Sequence, residues 1–294
     1  MKVALAGATT GVGHCIAEAI LKHGKHTLII LSRHDISAFS GHVHIVESYT
    51  VDSLIPALSG VHTVISAIGD HSRSADAQVA LAEAAVAANV VRFIPSGWSG
   101  ADGGEDDVIE LYRYQQRALA VLRKSKLQWS FPQCGIFLNY FATPQKDGLG
   151  PLKPLKFWID VENCRATIPG DGNIELAYTA VEDVGEFIAR ALDVDGQWPN
   201  PLRIVGTTIT HNKLVKIAEE VRGKPFTIAY KNREQLTNEL VTDPPSIYVN
   251  LTTQLSLALL DKRFTFDSDP DFDGDGFQFT QPRVLMEKWW STVQ

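Results

Sequence analysis

Cysteine is scarce: Cys15, Cys134 and Cys164 are the three in a chain of 294 residues. An odd number without paired spacing supports neither a disulfide framework nor a zinc ribbon, so the thiols are expected to be buried and unreactive. Long apolar runs are also missing, and no stretch approaches the ~18 residues of a membrane span. Glycines stand in the N-terminal MKVALAGATTGVG where a signal peptide needs an apolar core. The chain is therefore expected to be intracellular, in the cytoplasm, with no membrane partner. No basic block interleaved with aromatics occurs, and 27 Lys+Arg against 34 Asp+Glu leave a net charge of −7. Nucleic acid is not the expected partner. The nine histidines include no His-x-x-x-His and no carboxylate at ligand spacing, so no metal is expected.

What is present is the composition of a folded protein, 45% hydrophobic and 21% charged, which excludes disorder, collagen and coiled coil. Short apolar runs at 3–6, 27–31, 42–46, 61–66, 91–95 and 127–131 alternate with helical patterns at 14–23, 53–58, 75–88 and 107–124. That rhythm predicts an α/β fold, a Rossmann-like doubly wound parallel sheet. After Gly135 it breaks down into prolines and longer loops, with helices expected at 181–192 and 211–221 and an apolar stretch at 247–260. Residues 1–135 read as a nucleotide-binding domain. Residues 136–294 read as a smaller substrate-binding lobe, interleaved with the first domain without a clean linker.

Directly after the first strand comes Gly7-Ala8-Thr9-Thr10-Gly11-Val12-Gly13, leading into a helix. Glycines there permit a tight turn and close approach of backbone N–H groups to a pyrophosphate, which the helix N-terminus favours electrostatically. The second strand ends Leu31-Ser32-Arg33-His34, with no acid at its tip to hold ribose hydroxyls. Ser32 and the Arg33 guanidinium suit a 2′-phosphate, so NADP(H) is the expected cofactor. The alternatives are a solvated Arg33 and an NAD site using Asp35, two or three positions late.

These residues resemble the NmrA-like and isoflavone-reductase-like branch of the atypical short-chain dehydrogenases. The resemblance rests on the Gly7 to Gly13 turn, Val64-Ile65-Ser66-Ala67-Ile68-Gly69, Gln78 and Arg92-Phe93-Ile94-Pro95-Ser96. It continues through Gly135-Ile136-Phe137, Ile168-Pro169-Gly170-Asp171-Gly172-Asn173 and Thr179 to Gly185. It implies an NADP(H)-binding Rossmann domain, a small C-terminal lobe, and a cleft between them used on aromatic or polycyclic metabolites of plants and fungi. Some members are redox-sensing regulators rather than enzymes. On this resemblance the cofactor site comprises Gly7, Thr9, Thr10, Gly11, Val12, Gly13, Ser32, Arg33, Ala67, Ile68, Gly69, Pro95 and Ser96.

Two departures stand out. Thr10 occupies the middle glycine of the usual Gly-x-x-Gly-x-x-Gly turn, although Gly11 restores a Gly-x-x-x-Gly-x-Gly spacing. More seriously, the family's reductases carry a catalytic Lys where this chain has Gln115, and Tyr112 is followed by Gln116 where a Tyr-x-x-x-Lys pair needs Lys. Val108, Leu111, Gln115, Leu119 and Leu122 fall on one helical stripe, placing the Gln115 amide on the inward face. It orients substrate or nicotinamide there, or is a buried amide bonded to backbone. An amide is not an acid, so a proton must come from another group. The candidates are Tyr112, Tyr114, Tyr140 and Ser96, each with ordinary packing as its alternative.

Gly97, Trp98, Phe137, Tyr140, Phe141 and Trp158 are the expected walls of a substrate chamber at the edge where open sheets bind ligands, unless these aromatics only hold the two lobes together. Asp183 is expected to cap or brace its helix. Asp269 to Gly274 imitates the opening of an EF-hand loop but carries a Pro and lacks the closing Glu, and reads as a solvated acidic loop. Gly97-Trp98-Ser99-Gly100 falls one residue short of a nucleophile elbow, which disfavours a hydrolase. Three readings follow: an NADP(H)-dependent oxidoreductase on a hydrophobic small molecule, a cofactor-bound cyclase or isomerase, and a non-enzymatic NADP(H)-sensing regulator. A monomer or homodimer is expected.

Overall fold

The computed structural model describes residues 1–69, 72–269 and 277–292. Six parallel strands form the central sheet: β1 (Lys2–Ala6), β2 (Thr27–Ser32), β3 (Val43–Ile45), β4 (Thr63–Ser66), β5 (Arg92–Ile94) and β6 (Gln128–Trp129). Their order is β3-β2-β1-β4-β5-β6, so the winding reverses between β1 and β4. The crossovers are α1 (Gly11–His23), α2 (Val51–Ala57), α3 (Ser72–Ala87), and the pair α4 (Glu110–Arg113) and α5 (Gln115–Lys124).

Strand alternation sorts the core into two layers. Val3 and Leu5 face one side, with Ile16 and Ile20 of α1, while Ala4 and Ala6 face the other, with Leu54, Leu81 and Leu119. Both faces of β1 are covered, which is why it reads as a continuous apolar run rather than an alternating one. Burying each Leu or Ile contributes about 1.5–3 kcal/mol, so these layers are a large part of what holds the sheet and its helices together.

Beyond the sheet, β7 (Pro132–Gln133) pairs with β12 (Leu202–Arg203). A second small sheet joins β8 (Ile136–Phe137), β11 (Glu175–Thr179) and β13 (Thr207–Thr210), and a third joins β9 (Ile159–Asp160), β10 (Arg165–Pro169) and β14 (Thr227–Lys231). Short α6 (Lys146–Leu149), then α7 (Val181–Ala191), α8 (His211–Arg222), α9 (Arg233–Asn238), α10 (Leu251–Leu260) and α11 (Pro282–Trp290) follow, with 3-10 turns at Ser37–Phe39 and Leu138–Ala142. Helix α7 packs on α1: Val184, Phe187 and Ile188 complete the layer over Val3 and Leu5.

The expected single helix over 107–124 is two. Asp107 is buried and takes another role, accepting from the Ile109 N–H at 2.8 Å and pairing with Arg263 at 2.8 Å, so helix begins only at Glu110. A break at Tyr114 then separates α4 from α5, and the stripe from Val108 to Leu122 does not lie on one helix. The last strand, expected over 127–131, closes after Trp129, where the Phe131 N–H turns to Asn200 Oδ1 at 3.1 Å. Within the apolar stretch at 247–260, helix α10 spans Leu251–Leu260 and Tyr248 lies exposed before it. Asp183 does not cap its own helix: the N-cap is Ala180, and Asp183 accepts from the Thr280 N–H at 2.6 Å and the Thr280 hydroxyl at 3.2 Å. It braces the C-terminal segment instead. Of the acidic stretch, only Asp269 lies within the described residues. Among the described residues no helix is long and apolar enough to cross a membrane.

Candidate active site

The turn after β1 closes against the loop after β4. Gly7 has φ +94°, and a Cβ there would sit 2.4 Å from the Ala67 carbonyl oxygen; a Cβ on Gly13 would sit 2.3 Å from the Gly7 oxygen. Only glycine fits either position. Thr10 precedes α1 without a side-chain cap, and the first-turn N–H of Gly11 donates at 2.9 Å to the carbonyl of Pro151. Thr9 and Thr10 are exposed, whereas Val12 is buried. This N-terminus presents uncapped backbone donors and positive potential beside β1, the geometry an anion needs.

At the tip of β2, Arg33 is exposed and Ser32 Oγ accepts from the His34 N–H at 3.2 Å. The Tyr49 hydroxyl donates to the Leu31 carbonyl at 2.7 Å; burial pushes its pKa up to about 12, opposed by the charge of Arg33. Arg33 thus follows directly on β2, exposed, with no acid at the strand tip. Between turn and sheet, the Ala67 N–H extends β4 by donating to the Ala6 carbonyl at 2.7 Å, and Gln78 Nε2 reaches the Ile68 carbonyl at 3.4 Å. Gly69 is exposed at the loop's end, and Pro95 and Ser96 are buried at the end of β5.

A cavity of about 240 Å³ opens beside the segment following β5. Trp98, Ser99, Tyr112, Phe137, Tyr140 and Trp158 are among its walls. Trp98 is fixed by its indole N–H, which donates to the Ser66 carbonyl at 2.9 Å. Trp158 is fixed from behind by Ser256 Oγ at 2.8 Å, so its polar end is satisfied away from the cavity. Tyr140 packs edge-on to Phe157 at 4.8 Å, and burial pushes its phenol up to about 12. Asn139 anchors that turn: its amide donates to the Glu182 carboxylate at 2.9 Å, and its oxygen accepts from the Val181 N–H at 2.8 Å. Within this apolar wall the Tyr112 hydroxyl donates to Ser99 Oγ.

Four of the expected chamber residues, Trp98, Phe137, Tyr140 and Trp158, therefore meet in one cavity. Gly97 sits beneath the Phe131 ring. Phe141 turns into the core beside Tyr178, with ring centroids 5.7 Å apart, and gives its carbonyl to the Trp290 indole at 2.7 Å. Gln115 is buried at the start of α5 but is not among the described residues lining the cavity. The break at Tyr114 is the local reason: the turn carrying Leu111 and Tyr112 faces the cavity, and Gln115 opens the next helix. Ser99, which the sequence marks only as part of an incomplete nucleophile elbow, belongs to the cavity wall. Its place just past the C-terminal end of β5 was the available signal.

Comparison with known proteins agrees with this architecture. The chain is 27% identical over 282 residues to Oxidoreductase swnN of Metarhizium robertsii, covering 83% of this chain and 80% of that protein. It is 30% identical over 241 residues to bifunctional pinoresinol-lariciresinol reductase 1 of Linum usitatissimum, covering 76% and 75%. Among solved structures, AtPrR2 with NADP+ and (+)pinoresinol superposes with a TM-score of 0.77 at 19% identity, covering 98% of each chain. The ternary complex of leucoanthocyanidin reductase from Vitis vinifera gives a TM-score of 0.76 at 17% identity over 98% and 99%. The NmrA-like family model matches residues 1–269, and the chain belongs to the NmrA-like family.

Proposed function

We propose that this protein is an NADP(H)-dependent oxidoreductase acting on a hydrophobic, polycyclic small molecule by hydride transfer in the cleft beyond the C-terminal edge of the sheet. The cavity walled by Trp98, Tyr140 and Trp158 with a Tyr112–Ser99 hydroxyl pair at its side carries the reading. The cradle at Gly7 and Gly13, which a Cβ would fill, fits a dinucleotide pyrophosphate. Ser32 and Arg33, with no acid at the β2 tip, fit a 2′-phosphate. Ala67 to Gly69 and Pro95 to Ser96 would line the nicotinamide side. When bound, NADP(H) supplies the hydride.

The chain's own residues would supply the proton and the position. Ser99 accepts from Tyr112, which leaves the serine hydrogen to donate to a substrate oxygen as negative charge develops there. Tyr112 then replaces that proton, the work a lysine does elsewhere in the family. Tyr140 stays protonated and can donate a hydrogen bond, while the rings exclude water. The flax and Metarhizium relatives, a reductase and an oxidoreductase, support a redox rather than a regulatory role.

The test is NADPH consumption by the purified protein, followed at the nicotinamide absorbance with polycyclic ketones, enones and benzylic ethers. Turnover with NADPH well above that with NADH is expected. Conversion of substrate without net NADPH loss would favour the cofactor-bound cyclase, and NADPH binding without conversion of any substrate would favour the sensing regulator.

A further inference from the structure

At the N-terminal edge of the sheet, opposite the glycine turn, three elements end together. His23 is the last residue of α1, His26 immediately precedes β2, and Asp193 follows α7. One Asp193 oxygen lies 2.9 Å from His23 Nε2, and the other lies 3.2 Å from His26 Nε2. The three donor atoms all fall within 4.8 Å of one another. The His26 side chain is 5% exposed, yet its Nε2 makes no hydrogen bond despite that short approach to the carboxylate. The two imidazoles are stacked at 28° with ring centroids 5.8 Å apart, and each turns its Nε2 to a different oxygen of the one carboxylate.

We propose that His23, His26 and Asp193 form a binding site for a divalent transition ion of the zinc type, with water in the fourth position. Donor atoms around a four-coordinate zinc lie ~2.0–2.2 Å from the ion, which puts neighbouring donors about 3.3 Å apart. The two nitrogen–oxygen separations, 2.9 and 3.2 Å, lie just inside that spacing, so a small outward shift of the donors would admit the ion. Lys25 holds the carboxylate in the absence of an ion, its Nζ 2.6 Å from Asp193 Oδ2, but the side chain is 63% exposed and leaves at little cost. Two imidazoles and one carboxylate suit zinc, cobalt or nickel rather than calcium or magnesium, which prefer all-oxygen sets. The sequence spacing hides the site, because Asp193 reaches it only through the packing of α7 on α1. An ion there would tie the end of α1, the start of β2 and the end of α7 into one clamp, remote from the cavity.

The experiment uses the full chain, stripped with a chelator and titrated with Zn(II) by calorimetry and with Co(II) by visible absorption. One ion per chain is expected, with the absorption of a four-coordinate cobalt and a raised Tm. His26→Ala and Asp193→Asn should each weaken binding by about tenfold or more, whereas exposed His44→Ala should not. Lys25→Ala, a surface change that keeps the fold, should tighten binding by removing the competing ammonium. Absence of saturable one-to-one binding, retention of full affinity by both ligand variants, an equal loss in His44→Ala, or no tightening in Lys25→Ala would overturn the assignment.

Discussion

The backbone N–H of Gly11 donates to the carbonyl of Pro151 at 2.9 Å, tying the anion-type turn to the segment that supplies Leu155 and Phe157 to the aromatic cavity. A pyrophosphate seated in that turn would compete for the same N–H, so cofactor binding is expected to release the Pro151 contact and shift one wall of the cavity. Cofactor is expected to bind before substrate. Product-inhibition kinetics should show an ordered mechanism, and amide exchange across 151–157 should change on addition of NADP+. Substrate affinity that is the same with and without cofactor would sink this coupling.

The Tyr112–Ser99 pair gives the sharpest test of catalysis. Tyr112→Phe should lower kcat by about 100-fold with KM changed far less, since a positioned acid contributes ~10²–10⁴ in rate. Ser99→Ala should produce a comparable loss, and the double variant little more than either single, because the two hydroxyls act as one relay. Additive losses in the double variant would show that they act separately.

Arg33→Ala should weaken NADPH binding by roughly 10- to 100-fold while sparing NADH, as expected for one charge-assisted contact to a phosphate. Fluorescence titration of both cofactors reads this directly, and equal affinity of the unmodified protein for the two would remove the premise.

Gln115, placed by the sequence resemblance where reductases carry lysine, lies buried and is not among the described residues lining the cavity. Gln115→Ala is expected to cost about 1–3 kcal/mol of stability by leaving a buried polar environment unsatisfied. Turnover per folded molecule should stay within a factor of about two. Denaturant unfolding and active-site-normalised kcat separate the two effects. A large fall in kcat with unchanged stability would return Gln115 to the chemistry.

Burial pushes the Asp183 carboxyl up to about 6 from an ordinary 3.8. The folded protein therefore holds this proton more tightly than the unfolded chain, and the group's contribution is most favourable below 3.8 and declines as pH rises toward about 6. Asp183→Asn should keep the bond from the Thr280 N–H while removing that cost. Tm measured between pH 4 and 7 should fall less with rising pH in the variant, and the variant should be the more stable at pH 7. A steeper decline in the variant would reverse the sign.

Much of the fold was legible because it is local. The alternation of apolar runs and helical stripes, with glycines at Gly7, Gly11 and Gly13, predicts the six parallel strands and the turn before α1, and each is present. The boundaries that moved did so where a distant residue competed for the backbone. Arg263 holds Asp107 and delays α4, and Asn200 takes the Phe131 N–H and ends the sheet. Aromatic residues following the last strand of the central sheet pointed to a chamber, but periodicity could not say that Phe141 would face Tyr178 while Tyr140 faced the cavity.

The sequence by itself determined the doubly wound sheet, the glycine turn and the missing acid at the β2 tip, because each depends on residue type within a few positions of chain. Only the tertiary structure decided that Ser99 meets Tyr112, that Gln115 withdraws from the cavity wall, and that Asp193 arrives between His23 and His26. The first two depend on how α4 is held by Arg263 through Asp107 and broken from α5 at Tyr114, and the third on how α7 docks on α1. Such docking is driven by non-directional burial of apolar surface, which leaves no fixed spacing along the chain for the side chains it brings together.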